Sequence, residues 1–499
     1  MTPLSRRVFL NRSALLAAAA AGGSRAVADE KPVSTKVGSA SDRLRVAVVG
    51  VNGRGMDHVK GFVGNAKNAP NNTVITHICD CDEAVSGKAM KAVEKEQGSA
   101  PTYVKDFRRL LDNKEVDVIS IATPNHWHAL MTVWAVQAGK DVYCEKPASH
   151  SLREGRLMVD AARKADRIVQ VGTQSRSTKG MRQAIEYVQS GKLGPVTLSY
   201  GTCYKGRPSV GSVGREKGEQ PPPATMDYDL WTGPAKLAMP RRNGKHGPVH
   251  YDWHWLYEYG NGDLGNQGVH EMDKARWGLG DPGLPASVVS VGGRFGYQDD
   301  GETANTQLSL MEYPDVKANL VFEVRGLETK DYRGARVGNI FVGSKGYVVC
   351  PSYSSGTAFD ADGQKLAEFK GGGDEGHYAN FVKAVRSRKV SDLNCDIEQG
   401  HRSAALCHLA NISYRLGDKR MLGDTIESFA GVPEAAAAFE RMKEHLTANT
   451  VDLATTPCLV GPKLTVDVKA ERFTGEGAAK ANAMLQRAEY RAGYDINAA

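Results

Sequence analysis

The stretch RVAVVGVNGRG (45–55) places a short apolar run directly before a glycine-rich turn. Three valines among the first five residues predict a buried strand over 45–49. The turn has glycines at its first, fourth and sixth positions, whereas the dinucleotide-binding fingerprint has them at the first, third and sixth. Asn52 occupies the third position here. Because a strand precedes the turn and a helical pattern follows it, we predict that it binds a dinucleotide; a purely structural glycine turn is the alternative.

Outward from this turn, short apolar runs alternate with helical patterns, one of them over residues 83–97. Ser151 and Glu154 form a capping box that predicts a further helix start. The remaining strand candidates are VITHIC (74–79), VDVISIA (116–122), DVYC (141–144) and IVQVG (168–172). Strands that alternate with helices imply a parallel, doubly wound α/β sheet. We therefore predict a Rossmann domain over residues 43–172.

An acidic residue, Asp80, ends the second predicted strand, where a carboxylate can accept hydrogen bonds from a ribose 2′-hydroxyl. The same carboxylate would repel the 2′-phosphate of NADP. Arg54 opposes this interpretation, because a guanidinium in the turn can reach such a phosphate. The sequence favours NAD, with NADP as the alternative. The predicted cofactor contacts in this part of the chain are Gly50, Asn52, Gly53, Arg54, Gly55 and Asp80.

Two further motifs, ATPNHWH (122–128) and CEKPAS (144–149), lie at the ends of later strands. Ligands bind at the carboxyl ends of strands in open α/β sheets. A helix is predicted from about His126 to Ala138, with Asn125 as its cap. A lysine at 146 is either a solvated side chain or, beside a nicotinamide, an ammonium that binds a substrate hydroxyl. The predicted cofactor contacts here are Thr123, Pro124, Asn125, His126, His128, Glu145 and Lys146.

TPNHWH, the EKP triplet and VGTQSR (171–176) together resemble the Gfo/Idh/MocA oxidoreductase family over roughly residues 43–430. The resemblance implies a Rossmann domain followed, over 173–430, by an α/β domain with a large, mostly antiparallel open sheet. It also implies that Lys146 contacts the substrate and takes part in catalysis. Gln174, in the third motif, is predicted to contact cofactor and substrate. Residues 431–499 are set apart as a C-terminal extension.

The stretch YDWHWLYEYGNGDLGNQGVHEMD (251–273) carries the second group of candidates. The family commonly has Asp-x-x-x-His on one face of a helix, and the matching residues here are Asn266 and His270. The match implies that His270 is a general base toward a sugar hydroxyl, with a packed helix histidine as the alternative. Asn266 is predicted to bind the substrate, because an amide can position a hydroxyl, but it cannot accept a proton at neutral pH. Asp263 and Asp273 are predicted to orient His270 or to bind the substrate.

Just upstream, Trp253, His254 and Trp255 alternate as in a strand with two different faces. Aromatic rings stack on sugars and histidines bind hydroxyls, so we expect Trp253 and His254 at the substrate, or one tryptophan in the core. The glycine- and proline-rich region 205–249 is predicted to be a long loop, either a lid or an oligomer contact. We expect a homo-oligomer.

The amino terminus resembles a twin-arginine export signal. Arg6 and Arg7 precede an apolar run over 14–21, and Ala26 and Ala28 supply the small residues of a cleavage site. The run is shorter than the ~20 residues that a membrane-spanning helix requires. We therefore predict a signal peptide over 1–28, a linker over 29–42, contact with the twin-arginine machinery and a periplasmic or secreted location.

The composition argues against several classes of binding partner. The signal contains four arginines and no acid, so its removal lowers the formal net charge from +7 to +3. That balance argues against nucleic-acid or membrane-surface binding. No paired CxxC spacing occurs and no metal site is expected. A disulfide stays open among five of the eight cysteines, namely Cys203, Cys350, Cys395, Cys407 and Cys458.

These features predict an exported NAD(P)-dependent oxidoreductase that acts on CH–OH groups of a sugar, glycoside or polyol. A cell compartment without free dinucleotide requires that the cofactor be retained and recycled. Two alternatives stay open. One is an NAD-dependent glycosidase or lyase that works by transient oxidation and elimination; the other is an inert sugar-binding protein on the same fold.

Overall fold

The structure is a computed structural model that describes residues 43–63, 72–241, 247–424, 426–429 and 431–499. The predicted signal peptide (1–28) and linker (29–42) lie outside the described residues. Within the described part of the chain, no helix combines the length and apolar character needed to cross a bilayer. All eight cysteines are free thiols, so none of the disulfides left open by the sequence forms.

Six parallel strands form the first sheet, in the order β3-β2-β1-β4-β5-β6. They are β1 Leu44–Val49, β2 Thr73–Cys79, β3 Thr102–Val104, β4 Val118–Ile121, β5 Asp141–Cys144 and β6 Val169–Val171. The predicted doubly wound domain is confirmed, and only the three-residue β3 was not predicted. Chain order reverses between β1 and β4, which opens a crevice at the carboxyl ends of these strands.

Four helices connect these strands: α1 Gly55–Phe62, α2 Glu83–Gln97, α3 Asn125–Gln137 and α4 Leu152–Lys164. The predicted capping box of Ser151 and Glu154 is present at α4. The predicted start of α3 is wrong by one residue. Pro124, with an extended ψ of 151°, occupies the cap position, and Asn125 is already helical and makes no cap.

The second sheet has twelve strands and is antiparallel except for the parallel pair β7 and β10. The central path runs β14-β13-β12-β11-β7-β10-β9-β8-β16-β15, and β17 pairs with β8 and β18. The strands are β7 Val196–Tyr204, β8 Ser287–Gly293, β9 Thr306–Tyr313, β10 Ala318–Arg325, β11 Val337–Gly343, β12 Gly346–Cys350, β13 Ser355–Asp360, β14 Lys365–Lys370, β15 Asp418–Met421, β16 Pro457–Val460, β17 Leu464–Asp467 and β18 Arg472–Thr474. This architecture confirms the predicted open sheet.

Helices cover both faces of the second sheet. The remaining helices are α5 Lys179–Gln189, α6 Val213–Lys217, α7 Tyr228–Thr232, α8 Gly247–His250, α9 Val269–Gly278, α10 Glu375–Ser387, α11 Ile397–Arg415, α12 Pro433–Ala448 and α13 Ala478–Asn482. α9 and α11 pack on one face and α12 on the other. Residues 431–499, set apart in the sequence, thus supply a covering helix and three strands. Tyr378 and Phe381 of α10 return to the core of the Rossmann domain.

Candidate active site

The glycine turn after β1 has no room for side chains on its inner side. A Cβ on Gly50, whose φ is +80°, would lie 2.8 Å from the Ala122 carbonyl oxygen, and one on Gly55 would lie 1.8 Å from the Gly50 carbonyl oxygen. Gly53, at φ +134°, has no atom within 4 Å of the position of a Cβ, so the outer side of the turn is open. α1 begins at Gly55, directly after this turn, and the amino-terminal end of a helix suits a pyrophosphate.

Asp80 is held at this turn by two backbone amides. Its Oδ2 accepts a hydrogen bond from the Val51 amide at 2.8 Å, and its Oδ1 accepts one from the Asp82 amide at 3.0 Å. Burial raises the pKa of Asp80, and these two hydrogen bonds oppose that shift. A cleft is lined by Asp80, Gly50 and Asn52 together with Thr123 and Pro124. Its donor and acceptor groups fit the adenosine side of NAD.

Arg54 does not remain free for a 2′-phosphate. Its guanidinium contacts the carboxylates of Glu145 at 3.1 Å, Asp374 at 2.7 Å and Asp57 at 3.2 Å. Glu145 follows β5, which lies on the opposite side of β1 from the strand that ends at Asp80. Arg54, the residue of the turn that favoured NADP, is therefore already paired with carboxylates of the protein.

Glu145 is the centre of a buried hydrogen-bond network. Its Oε1 accepts from Arg54 Nε at 3.1 Å, from His58 Nε2 at 3.2 Å and from Gln174 Nε2 at 2.9 Å. Burial opposes ionisation, but the His58 hydrogen bond and the charges of Arg54 and Lys146 outweigh it and hold the pKa of Glu145 well below its usual range. Both predicted contact residues, Glu145 and Gln174, thus bind protein groups and position the start of the EKP turn.

Lys146 reaches from this turn to the second domain. Its Nζ donates a hydrogen bond to the backbone carbonyl oxygen of Asn266 at 2.6 Å. Asn266 lies in a π-helical turn, Leu264–Gly268, that runs directly into α9. π-Helical turns interrupt regular helices and are frequent at functional sites. Burial lowers the pKa of Lys146, and the neighbouring Glu145 carboxylate opposes that shift.

His270 stands in the first turn of α9, and its side chain is 5% exposed. Its ring lies 4.7 Å from the ring of Tyr353, and its buried Nδ1 has no hydrogen-bond partner among the described residues. Burial, followed by the charge of Lys146, lowers the pKa of His270 well below its usual value. The imidazole is therefore neutral and retains an available nitrogen lone pair. The π-helical turn means that Asn266 and His270 do not share the regular α-helical register that the sequence predicted.

The two aspartates predicted to orient His270 do not do so. Asp273 is fully buried and accepts from Arg176 Nε at 2.8 Å and from Ser403 Oγ at 2.7 Å. Asp263, also buried, pairs with Arg207 at 2.6 Å. Each carboxylate is neutralised by its own arginine, so the prediction that they orient His270 is wrong, while their binding of substrate stays a prediction.

His254 and Trp253 lie in a 3₁₀ turn, Asp252–Trp255, and the predicted strand is wrong. Both tryptophans are buried, and the Trp253 ring stacks on His254 at 3.6 Å. Nδ1 of His254 lies 2.6 Å from the Tyr251 carbonyl oxygen, so Nδ1 carries the proton and Nε2 is the acceptor. Burial and the charge of Lys146 lower the pKa of His254 to about 3. Trp253 lines the dinucleotide cleft.

Comparison with known proteins identifies the family. The model of an oxidoreductase family with an NAD-binding Rossmann fold matches residues 44–173, and that of its C-terminal α/β domain matches residues 178–443. The chain belongs to the Gfo/Idh/MocA family. The resemblance stated from the EKP motif is confirmed, and so is the preference for NAD as cofactor.

Individual relatives in this family match parts of the chain. Inositol 2-dehydrogenase of Salmonella typhimurium is 30% identical over 162 residues, 32% of this chain and 46% of that protein. Glycosyl hydrolase family 109 protein 2 of Shewanella sp. strain ANA-3 is 33% identical over 178 residues, 32% of this chain and 38% of that protein. The matches span less than half the length of these curated relatives.

The fold is also that of solved structures. Levoglucosan dehydrogenase, in complex with NADH and levoglucosan, is 18% identical and superposes with a TM-score of 0.55. The superposition covers 74% of this chain and 96% of that chain. At this identity the likeness shows the fold alone.

In this Gfo/Idh/MocA protein the histidines of TPNHWH bind protein groups. His128 lies between two backbone carbonyls, with Nδ1 2.7 Å from Pro147 O and Nε2 2.8 Å from Thr123 O. His126 Nε2 lies 3.0 Å from the carbonyl oxygen of Trp231. Both rings are buried against these protein groups, and their predicted contacts with the cofactor stay predictions. Asn125 is likewise buried, while Thr123 and Pro124 line the cleft.

Several residues of the cleft carry no sequence motif. Met226 and Trp231 come from the region predicted to be a long loop, which contains short helices, and His250 follows directly after it; all three line the cleft. His58 and Arg54 were separated from Glu145 by about ninety residues, so only the fold brings them together. Among the described residues, no group of three or more His, Cys, Asp and Glu side chains could hold a metal ion.

Proposed function

We propose that this protein is an NAD-dependent oxidoreductase that oxidises a CH–OH group of a sugar, glycoside or polyol while retaining its cofactor. One observation carries the proposal: Lys146, which follows β5, donates to the carbonyl oxygen of Asn266 in the turn that runs into His270. After burial, the charge of Lys146 also lowers the pKa of His254 and His270, so both neutral histidines lie within its electrostatic reach. Perturbed titratable groups of this kind are typical of active sites.

The chemistry follows from these groups. Bound NAD would accept a hydride from the carbinol carbon. Lys146 would bind the substrate hydroxyl oxygen and stabilise its developing negative charge. His270, neutral and with an available nitrogen, would take the hydroxyl proton, and His254 Nε2 would accept a hydrogen bond from a neighbouring hydroxyl. The alcohol would thus become a carbonyl. The hydride would end on NAD and the proton on His270.

The relatives support the substrate class, because one of them is named an inositol 2-dehydrogenase. The paired arginines at 6 and 7 support export through the twin-arginine machinery to the periplasm or beyond. An exported enzyme has no cytoplasmic pool of NAD, so reduced cofactor would be reoxidised by a second carbonyl substrate. A homo-oligomer is part of the proposal and is checked by sedimentation of the purified protein.

A redox-neutral reaction is the second candidate, favoured by the similarity to a protein named as a glycosyl hydrolase. Transient oxidation acidifies the C–H bond next to the new carbonyl. Elimination of the glycosidic oxygen, addition of water and return of the hydride would then cleave the bond without net redox change. An inert sugar-binding protein is disfavoured, because Lys146 and His270 keep the groups that chemistry requires.

The test begins with purified protein that has been dialysed extensively and then denatured. Mass spectrometry of the released material should find one nicotinamide dinucleotide per chain, and its absence would refute cofactor retention. A panel of sugars, polyols and aryl glycosides is then added to the native protein while nicotinamide absorbance is recorded. A keto sugar with reduced cofactor supports the oxidoreductase; a released aglycone with unchanged absorbance supports the hydrolytic alternative.

A further inference from the structure

A segment of the second domain crosses the dinucleotide cleft. We call its described parts, residues 222–235 and 249–256, the cover. They supply one wall of the cleft, and Gly50, Asn52 and Asp80 supply the other. The residues of the cover that line the cleft are Met226, Leu230, Trp231, Val249, His250 and Trp253. This wall is aromatic and apolar, which suits the face of an adenine ring.

The cover is fastened to the loop that follows Asp80. The Asp227 amide donates to the Cys81 carbonyl oxygen at 2.9 Å. Asp82 accepts from Thr225 Oγ1 at 2.5 Å and lies 3.0 Å from His250 Nε2. Asp82 is buried and also caps α2, so its position is set by the Rossmann domain. The contacts tie the cover to the loop after β2, directly beside the cleft.

The cover also rests on the TPNHWH motif. Trp127 Nε1 donates to the Leu230 carbonyl oxygen at 3.0 Å, alongside the contact of His126 with the Trp231 carbonyl. A Cβ on Gly233 would lie 2.2 Å from the indole of Trp127, so backbone and ring are in direct contact. His126 and Trp127 therefore hold the cover in place.

The carboxyl-terminal residues 485–499, which we call the tail, lie behind the cover. Arg491 NH1 pairs with Asp229 Oδ1 at 3.0 Å, and the Tyr494 hydroxyl donates to Asp229 Oδ2 at 3.4 Å. The Tyr494 ring packs edge-on against Trp127 at 5.6 Å. Tyr494 and Ile496 are buried in the core of the Rossmann domain. The tail thus joins α7 of the cover to the domain that holds the glycine turn.

We infer that the cover and the tail form a clamp that encloses the adenosine half of NAD and makes its release slow. The inference rests on the proposed NAD-dependent function and explains how the cofactor is retained. Release of NAD requires that the cover separate from Cys81, Asp82 and Trp127, and the tail opposes that separation. Loosening the tail should therefore accelerate NAD release without altering any group that touches the dinucleotide.

The experiment measures the rate at which holoenzyme loses NAD. Protein loaded with NAD is freed of excess nucleotide and incubated with an enzyme that destroys free NAD, and the bound nicotinamide is quantified over time. Tyr494→Ala should accelerate release at least roughly tenfold, because the aromatic contact with Trp127 is lost. Arg491→Ala should accelerate it roughly two- to fivefold, as expected for a partly exposed ion pair. Glu489→Gln, exposed on the same tail, is the control and should match the wild type.

Release at the wild-type rate in both Tyr494→Ala and Arg491→Ala overturns the clamp. If Tyr494→Ala does not fold, as judged by circular dichroism, Arg491→Ala and Asp229→Ala decide, and each should release NAD faster than the wild type. Sugar oxidation at saturating NAD is measured separately on the wild type. Its absence alongside faster release in the variants would refute the proposed reaction and leave the clamp, whereas active oxidation with unchanged release would refute only the clamp.

Discussion

The two ends of the dinucleotide cleft are built differently. At the adenosine end, Asp80 is fixed by two backbone amides and the opposite wall is closed by Trp231 and Trp253. At the proposed reactive end, Nδ1 of His270 is buried without a hydrogen-bond partner among the described residues, and Lys146 Nζ donates to a backbone carbonyl oxygen. Saturated hydrogen bonds favour holding a ligand, while unpaired groups with shifted pKa values favour reacting with it. Under the proposed function, retention of NAD and chemistry thus belong to separate groups of residues.

Replacing Lys146 should have the largest effect, because it should lower turnover while leaving the bound NAD unchanged. Lys146→Met keeps an unbranched side chain of similar length but removes the charge and the donor. Turnover of the sugar should fall about 10²- to 10⁴-fold, the usual contribution of a group that assists proton transfer or stabilises charge. The bound NAD content should stay at the wild-type level, because the adenosine end is untouched. The measurements are steady-state kinetics and nicotinamide content of the same preparation.

Lys164→Met, at the end of α4, is the matched control for the loss of one lysine charge and should leave turnover unchanged. A fall of less than tenfold in Lys146→Met would mean that Lys146 is a packing residue. Loss of NAD together with turnover would mean that the two ends are not separate.

Replacing Asp80 tests the opposite end and should have a smaller effect. Asp80→Ala removes the acceptor for the ribose hydroxyl, and charge-assisted hydrogen bonds are worth about 1.5–3 kcal/mol. NAD should bind roughly ten- to a hundredfold more weakly, and discrimination against NADP should relax because the repelling carboxylate is gone. Competition binding of the two dinucleotides measures both. Turnover at saturating NAD should change little.

The matched control is Asp117→Asn. It removes an acidic charge just before β4, at the amino ends of the strands and so on the side of the sheet away from Asp80. An unchanged preference for NAD over NADP in Asp80→Ala would show that the carboxylate is not at the ribose.

The sequence predicted the fold well wherever local patterns determine it. Valine-rich strands, the capping box at Ser151 and the glycine spacing of the turn are short-range signals, and the structure confirms each. The 3₁₀ turn at 252–255 was mistaken for a strand because its alternating tryptophans resemble a two-faced pattern. Both tryptophan rings are buried against different partners. The periodicity of the sequence alone cannot show this.

The candidate site was predicted less completely, because long-range pairing determines which groups are available. Asp273 is a plausible partner for His270 by helical spacing, yet Arg176, almost a hundred residues earlier, neutralises it. The same applies to Asp263 and Arg207. His126 and His128 were in the right motif, but their contacts are to backbone carbonyls that only the folded chain brings near. Sequence spacing identifies residue types near a site and not their partners.

The pH dependence of sugar oxidation should give the smallest effect and the finest test of the reactive end. His270 must be neutral to accept the proton, so oxidation falls when it becomes protonated at low pH. Burial and the charge of Lys146 lower the pKa of His270, and the acid limb of kcat/KM should therefore lie below the ordinary histidine value of about 6.5. Asn266→Asp adds a negative charge beside Lys146, which favours the protonated imidazole. The limb should move toward higher pH by up to about one unit.

The variants then identify the base. In His270→Gln the acid limb should disappear from the residual activity, while His254→Gln should keep it near its wild-type position. If His254 were the base, the limb would fall near its own pKa of about 3 and would survive in His270→Gln. A wild-type limb at or above 6.5 would contradict a buried, neutral His270 next to a charged Lys146. If the acid limb did not move in Asn266→Asp, the π-helical turn would lie outside the electrostatic reach of the base. The contact of Lys146 with Asn266 would then not distinguish the reactive end of the cleft from the adenosine end.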